Sequence, residues 1–192
     1  MSVLPQLTIG LQIDKLCGVV LSHNHQDHSK AREDFEKWFI PCYSTDNLEC
    51  GKPIMIGSYK VLPMRAYHNI ECYAYWIRDT INNKNIIFAT DTTEIPKVVD
   101  KEFDCMMLEA NYSLTKINEL IAEGKEVAQG YQNHCSIETL AEWLKNRQHN
   151  TNKLVLIHRS RRNYFDTTKA INELKEYVGN VIIAEPNTII EI

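Results

Sequence analysis

Cys17-Gly-Val-Val-Leu-Ser22-His23-Asn24-His25-Gln26-Asp27-His28 is the stretch that decides how this chain reads. Its first half is a short apolar, β-branched run ending in polar residues, the pattern of a buried strand. Its second half sets three imidazoles and a carboxylate within six residues, directly where that strand must stop. A tight loop at a strand end can turn alternate side chains toward one point. Imidazole with carboxylate is the donor set preferred by Zn2+ and related divalent ions. A solvated polar loop would account for one such histidine; four candidate ligands at this spacing point to metal.

The rest of the chain is consistent with a folded carrier for such a site. It has 192 residues, 44% hydrophobic and 24% charged, which is the balance of one globular domain spanning 1–192, and no repeat or Pro/Gly-rich linker divides it. The formal charge of −4 excludes a protein that coats nucleic acid with a basic surface, so any nucleic-acid role must rest on a local patch. No cationic leader with an apolar run opens the sequence, and no run approaches the roughly 18 apolar residues of a membrane span. The expectation is a cytoplasmic protein with no membrane association. Six cysteines (Cys17, Cys42, Cys50, Cys72, Cys105, Cys135) form no Cys-x-x-Cys pair, so most read as small buried hydrophobes rather than disulfides.

Short apolar runs alternate with amphipathic stretches. Strands are predicted at Cys17–Ser22, Tyr59–Ala66, Cys72–Ile77, Asn85–Ala89, Asp104–Leu108, Leu154–Ile157, Val181–Ala184 and Thr188–Ile190, with Asn82-Asn83 as a hairpin turn. A helix over Ala31–Trp38 stops before Pro41. Ser136 caps a helix whose apolar face is Ile137, Leu140, Ala141 and Leu144. Asp166 caps another with Ala170, Ile171, Leu174 and Val178 on its face and Gly179 as its C′ residue. Strands interleaved with helices on two flanks predict a layered α/β architecture.

The His-x-His-x-Asp-His pattern after a buried strand resembles the metallo-β-lactamase-fold hydrolases, and the later landmarks of that family follow in order. His68 lies between a strand and Cys72-Tyr-Ala-Tyr-Trp, Asp91 lies in Phe88-Ala-Thr-Asp-Thr, and His158 follows Leu154-Val-Leu-Ile. The resemblance implies a four-layer αββα sandwich holding two divalent metal ions, Zn2+ first, with Mn2+ or Fe2+ as alternatives. It implies one ion on His23, His25 and His68, a second on Asp27, His28 and His158, and Asp91 between them. Asp27 carries a catalytic role beside its ligand role. Two such ions about 3.5–4 Å apart would polarise the scissile group and supply a hydroxide nucleophile at neutral pH.

Aspartate at position 91, where the β-lactamases of this fold carry cysteine, points away from antibiotics and toward thioesters or phosphodiesters. Leu108-Glu109-Ala110-Asn111-Tyr112 resembles the His-Glu-Ala-Thr-Tyr stretch of the tRNA 3′-processing endonucleases, and Asn133-His134-Cys135-Ser136 resembles their Gly-His-Ser-Thr. That resemblance gives Glu109 the task of orienting His134, which protonates the leaving oxygen. The chemistry is sound on its own terms: an alkoxide leaving group needs a proton in the transition state, and a neighbouring carboxylate favours the protonated imidazole. The helix start at Ser136 would offer backbone N–H groups to a phosphate. Arg159, Arg161 and Arg162, followed by Asn163 and with Lys169 beyond, would add guanidinium forks for its oxygens. His149 has no motif around it and reads as a surface residue.

Two departures qualify the resemblance. The family places two or more strands before its first histidine motif, but only 22 residues precede His23 here, which implies a first sheet with an open edge that a homodimer could cover. The 23 residues from His68 to Asp91 leave no room for a tRNA-clamping arm, so a compact phosphodiesterase is expected, with single-stranded nucleic-acid ends or nucleotide-like diesters as substrates. The alternatives are a glyoxalase-like thioester hydrolase and a catalytically idle metal-binding module.

Overall fold

The computed structural model describes residues 12–97, 101–148, 151–162, 164–186 and 188–192. In chain order the elements are β1 (Val19–Val20), α1 (Gln26–Ser29), α2 (Arg32–Lys37), β2 (Cys42–Tyr43), β3 (Ile54–Ile56), β4 (Tyr59–Ala66), β5 (Cys72–Asp79), β6 (Lys84–Ala89), β7 (Cys105–Glu109), α3 (Leu114–Ala122), α4 (Ile137–Lys145), β8 (Thr151–Ile157), α5 (Thr167–Leu174) and β9 (Val178–Ile183).

β3 to β9 form one seven-stranded sheet in sequence order, antiparallel as far as β6 and parallel from β6 to β9. The connections explain the change of direction. Gly57 and Asn83 adopt positive φ (58° and 56°) and close tight hairpins, whereas the parallel steps β7 to β8 and β8 to β9 are made by helical crossovers. β1 and β2 pair in parallel as a separate two-stranded sheet.

Side-chain alternation assigns the layers. On one face of the large sheet Cys72, Ala74, Ile87, Met106, Leu108 and Leu154 pack under Ile137, Leu140 and Leu144 of α4 and Ala170 and Leu174 of α5. On the other face Val61, Tyr73 and Tyr75 meet Val20 and Tyr43 of the small sheet. The opposite sides of those two strands, Val19 and Cys42, pack with Phe35 and Ala31 at α2. Helix, sheet, sheet and helix therefore stack in four layers. Each layer boundary buries one apolar face, at roughly 25 cal/mol per Å2.

Several expected elements change at their ends. β1 keeps only Val19–Val20, because its N–H partners run out beyond Pro41 and Tyr43. The helix capped by Asp166 stops at Leu174. Val178 and Gly179 belong instead to β9, where Val178 pairs with Thr151. The apolar spacing that looked helical is satisfied twice, first by α5 and then by a strand. Thr188–Ile190 forms no strand. α3 was not anticipated, although Ser113 caps it and Ile117 and Leu120 give it a buried face. Cys42, Cys72, Cys105 and Cys135 are buried, while Cys17 and Cys50 are exposed, and all six are free thiols. No helix among the described residues is long and apolar enough to cross a membrane. His149, Asn163 and the segment expected to lack strands before position 12 lie outside the described residues.

Candidate metal centre

β6, β7 and β8 run parallel, and β4 runs the same way through two antiparallel steps, so their carboxyl ends share one edge of the sheet. His68, Asp91, Glu109 and His158 stand at or just past those ends. The small sheet brings its own motif to the same edge: the Tyr75 hydroxyl donates to the Leu21 carbonyl (2.6 Å) and the Tyr73 N–H to the Ser22 carbonyl (2.8 Å). Residues 45 and more positions apart therefore converge because strand direction places them there.

Two of the ligand candidates occupy costly backbone. Asp91 and His158 have φ of 51° and 53°, the left-handed region that non-glycine residues seldom enter. His158 is held there by Asn111, whose side-chain amide donates to the His158 carbonyl (2.7 Å). The Thr90 hydroxyl fixes the Asp91 carboxylate (2.7 Å to Oδ2).

The rings are oriented by what their other nitrogens touch. His23 Nδ1 faces the Ser22 hydroxyl (2.9 Å) and the Cys72 thiol (3.7 Å), His68 Nδ1 faces the Asn133 carbonyl (3.4 Å), and His158 Nδ1 faces Glu109 Oε1 (2.8 Å). Each contact leaves Nε2 of that ring pointing inward, the arrangement by which outer partners set ligand tautomers. His23 Nε2 then lies 3.0 Å from His25 Nδ1, which lies 3.3 Å from His68 Nε2. Asp91 Oδ2 lies 3.3 Å from His28 Nε2 and 3.5 Å from His158 Nε2. A tetrahedral Zn2+ with ligands at about 2.0–2.1 Å has ligand-to-ligand edges of about 3.3 Å, so these spacings fit metal coordination. The groups His23/His25/His68, His23/His28/Asp91 and Asp91/His134/His158 each bring ligand atoms within 4.8 Å of one another.

Electrostatics agrees with that fit at His23, His68 and Asp91, whereas at His158 burial is outweighed by the Glu109 hydrogen bond and by Asp91, which raise it. Burial, and then the nearby His28 imidazole, push His23 down to about 4, so its ring is neutral and its lone pair free at pH 7. Burial also lowers His68. Burial alone would raise Asp91, but His158 and the Thr90 hydroxyl outweigh it and hold the carboxyl below its ordinary range. Burial, with Asp91 next, raises the Cys72 thiol to about 12, which keeps it a neutral neighbour of His23 and not a thiolate ligand.

Glu109 is fully buried at the centre of the arrangement. Its Oε1 accepts from Nδ1 of His134 (2.7 Å) as well as from His158, and its Oε2 accepts from the Thr92 N–H (2.9 Å). The His134 ring sits between those of His158 and His68, with centroids 5.2 and 6.0 Å away.

Comparison with solved structures gives the same architecture. The metallo-β-lactamase fold protein YhfI from Bacillus subtilis superposes with TM-score 0.76 over 98% of this chain and 83% of its own, at 18% identity. This chain has the metallo-β-lactamase fold. Human tRNase Z, short form, is similar over 95% of this chain and 82% of its own (TM-score 0.59, 14% identity). A diphosphatase of the PhnP family covers 98% and 62% (TM-score 0.54, 14% identity). No family model and no curated protein matches by sequence.

Within this metallo-β-lactamase fold the expected site residues separate into two sets. His23, His25, His28, His68, Asp91, His134, His158 and Glu109 come together. Asp27 stands at the rim: its side chain is 77% exposed, Oδ2 is 3.6 Å from His28 Nε2, and it joins none of the three convergent groups. The expected phosphate contacts are largely engaged elsewhere. The buried Ser136 hydroxyl accepts from the Thr139 N–H as the cap of α4, and the Ile137 N–H donates to Tyr112, so that helix start is already satisfied. Arg159 pairs with Glu185 and lies over Phe165, and Arg162 reaches the Tyr164 hydroxyl (3.5 Å). Lys169 pairs with Glu138 (2.9 Å). Arg161 is exposed and takes part in no ion pair among the described residues. The supporting residues Ser22, Thr90, Thr92 and Asn111 carried no recognisable sequence signal, except that Asn111 follows Glu109-Ala110.

Proposed function

We propose that this chain is a metal-dependent hydrolase that cleaves phosphodiester bonds. The observation that carries the reading is the Glu109–His134 pair: an imidazole held at 2.7 Å by a fully buried carboxylate beside the metal ligands. Two divalent ions, when bound, would polarise the phosphoryl group and lower the pKa of water at the site. Five imidazoles with carboxylate make Zn2+ the first choice, and Mn2+ and Fe2+ remain compatible with the same donors.

The side chains themselves do three things. His23, His25 and His68 would hold one ion, and His28, His158 and Asp91 the other, with Asp91 near both. Glu109 fixes the tautomers of His158 and His134 together, since one carboxylate oxygen accepts both Nδ1–H groups. His134 would then present Nε2–H, which has no hydrogen-bond partner among the described residues, as the proton donor for the departing oxygen. A thioester substrate leaves as a thiolate, which needs no such proton, and would give His134 nothing to do.

The test compares two diesters in Zn2+ and in Mn2+. Bis(p-nitrophenyl) phosphate has a leaving group that departs without a proton, whereas a thymidine dinucleotide has an alkoxide that does not. Chelator-sensitive hydrolysis of both, with no turnover of S-lactoylglutathione, is expected. Absence of diester hydrolysis in every metal would refute the proposal, and robust thioester turnover would replace it.

A further inference from the structure

Far from the metal centre, the opposite end of the β4–β5 hairpin carries an arrangement that the fold does not require. Lys60 and Arg78 are direct cross-strand partners, and the next pair on the same face is Leu62 with Trp76. Like charges placed directly opposite each other destabilise a strand pair. Lys101 joins them, its ammonium 4.2 Å above the Trp76 ring. The three cations and Trp76 line one cavity of about 370 Å3 to which no described carboxylate contributes. Several basic side chains elsewhere on the molecule are paired, as in Lys84–Asp104, Arg32–Asp46, Lys52–Glu49 and Lys169–Glu138. Among the described residues no ion pair includes Lys60, Arg78 or Lys101; Arg78 bonds only the amide of Asn83 (2.6 Å) and Lys101 is held by an aromatic face. In a chain of net charge −4, this is the local basic patch that any nucleic-acid role would need.

Gly51 lines this cavity, and the adjacent Cys50 lines a separate cavity of about 560 Å3 together with Arg65, Tyr67 and the metal-site residue His68, on the opposite face of the β4–β5 pair. The acidic residue of that second cavity, Glu71, accepts from the Tyr73 hydroxyl. From Leu62 to His68 the chain advances six residues, ~20 Å at ~3.3 Å per residue.

We infer that the Lys60/Arg78/Lys101 cavity is an anchoring site for single-stranded nucleic acid, at the end of the β4–β5 pair away from the metal centre. The inference rests on the phosphodiesterase reading for its substrate, but the contacts are separate. The cations neutralise backbone phosphates. A mononucleotide or dinucleotide is too short to span both sites and gains nothing from the anchor.

The experiment measures binding of a fluorescein-labelled phosphorothioate dT12 and of dT2 by anisotropy, across a salt series, with the metal-loaded protein and its Lys60→Gln/Arg78→Gln variant. dT12 should bind much more tightly than dT2. The double variant should flatten the salt dependence of dT12 binding by about 1.4 in log–log slope, from two lost contacts at about 0.7 each. Its binding of dT2 and its turnover of bis(p-nitrophenyl) phosphate should not change. Its fold should be kept, since relief of the like-charge pair offsets loss of the exposed Arg78–Asn83 bond. Equal binding of dT12 and dT2, or an unchanged salt slope, would each overturn the inference. Failure of the wild type to hydrolyse any diester, with cation-dependent dT12 binding intact, would instead overturn the hydrolase reading and leave the anchoring site standing.

Discussion

Replacing Glu109 by Gln is the most discriminating single change, because an isosteric amide cannot serve the three contacts that the carboxylate makes. Oε2 accepts from Thr92 N–H at 2.9 Å, while Oε1 accepts from His134 and His158 at 2.7 and 2.8 Å. If the amide keeps its oxygen toward Thr92, its NH2 faces both imidazoles and forces each Nδ1 to accept. The proton of His158 then moves to Nε2, the nitrogen that lies 3.5 Å from Asp91 Oδ2 and should hold metal. If the amide turns round, NH2 meets the Thr92 N–H in a fully buried site. In the turned orientation the buried Thr92 N–H loses its acceptor, at about 1–3 kcal/mol, whereas in the first orientation the bonds are kept and only the tautomers change. Urea denaturation of the chelator-treated protein should register that loss. Metal titration should show affinity lowered ~10–100-fold for one of the two ions, the usual cost of an outer-shell partner. Hydrolysis of a dinucleotide should fall by a further factor of roughly 10²–10⁴, because the carboxylate that favours the protonated His134 ring is gone. A variant matching the parent in stability, in metal affinity and in turnover would refute the idea that one carboxylate organises both imidazoles.

Three further outcomes follow from individual contacts. His134→Ala should retain two metal ions per chain by elemental analysis and lose roughly 10²–10⁴ in dinucleotide hydrolysis, with a far smaller loss on p-nitrophenyl esters; loss of metal would make His134 a ligand. Asn111→Ala removes the 2.7 Å bond to the His158 carbonyl and should weaken one ion by roughly fivefold, from about 1 kcal/mol, while the ion on His23, His25 and His68 titrates as before. Burial alone would raise Glu138, but the Leu114 N–H and the Lys169 ammonium reverse this and draw it from 4.5 to about 2. A carboxyl lowered by folding stabilises the protein fully above its unfolded pKa and loses that contribution as pH falls through the folded value. Glu138→Gln should therefore cost up to about 3 kcal/mol at pH 7, and the gap between variant and parent should close between about pH 4.5 and 2 in denaturation curves.

The legible part of the fold was the part written locally. Tyr59–Ala66 is a strand over just those residues, Asn83 turns the hairpin with positive φ, and Ser136 and Asp166 cap the helices they precede. These depend on alternation, turn chemistry and a side chain three residues from its partner. Helix α5 ended early for a different reason: Val178 had a strand waiting for it at Thr151, and nothing within ten residues announces that.

The same division runs through the site. The sequence by itself determined the inventory of donors, since His23, His25 and His28 belong to one short loop and the remaining ligand residues follow strands of recognisable pattern. Only the tertiary structure decided how they are shared. It set Asp27 at the rim while its neighbours turned inward, turned Arg159 and Lys169 into structural ion pairs, and placed one carboxylate oxygen of Glu109 between two imidazoles 25 and 49 residues away. It also set Lys60 opposite Arg78. Ligand type is a property of the residue, but the nitrogen that faces inward, and the charge that goes unpaired, depend on strand direction and register across segments distant in sequence.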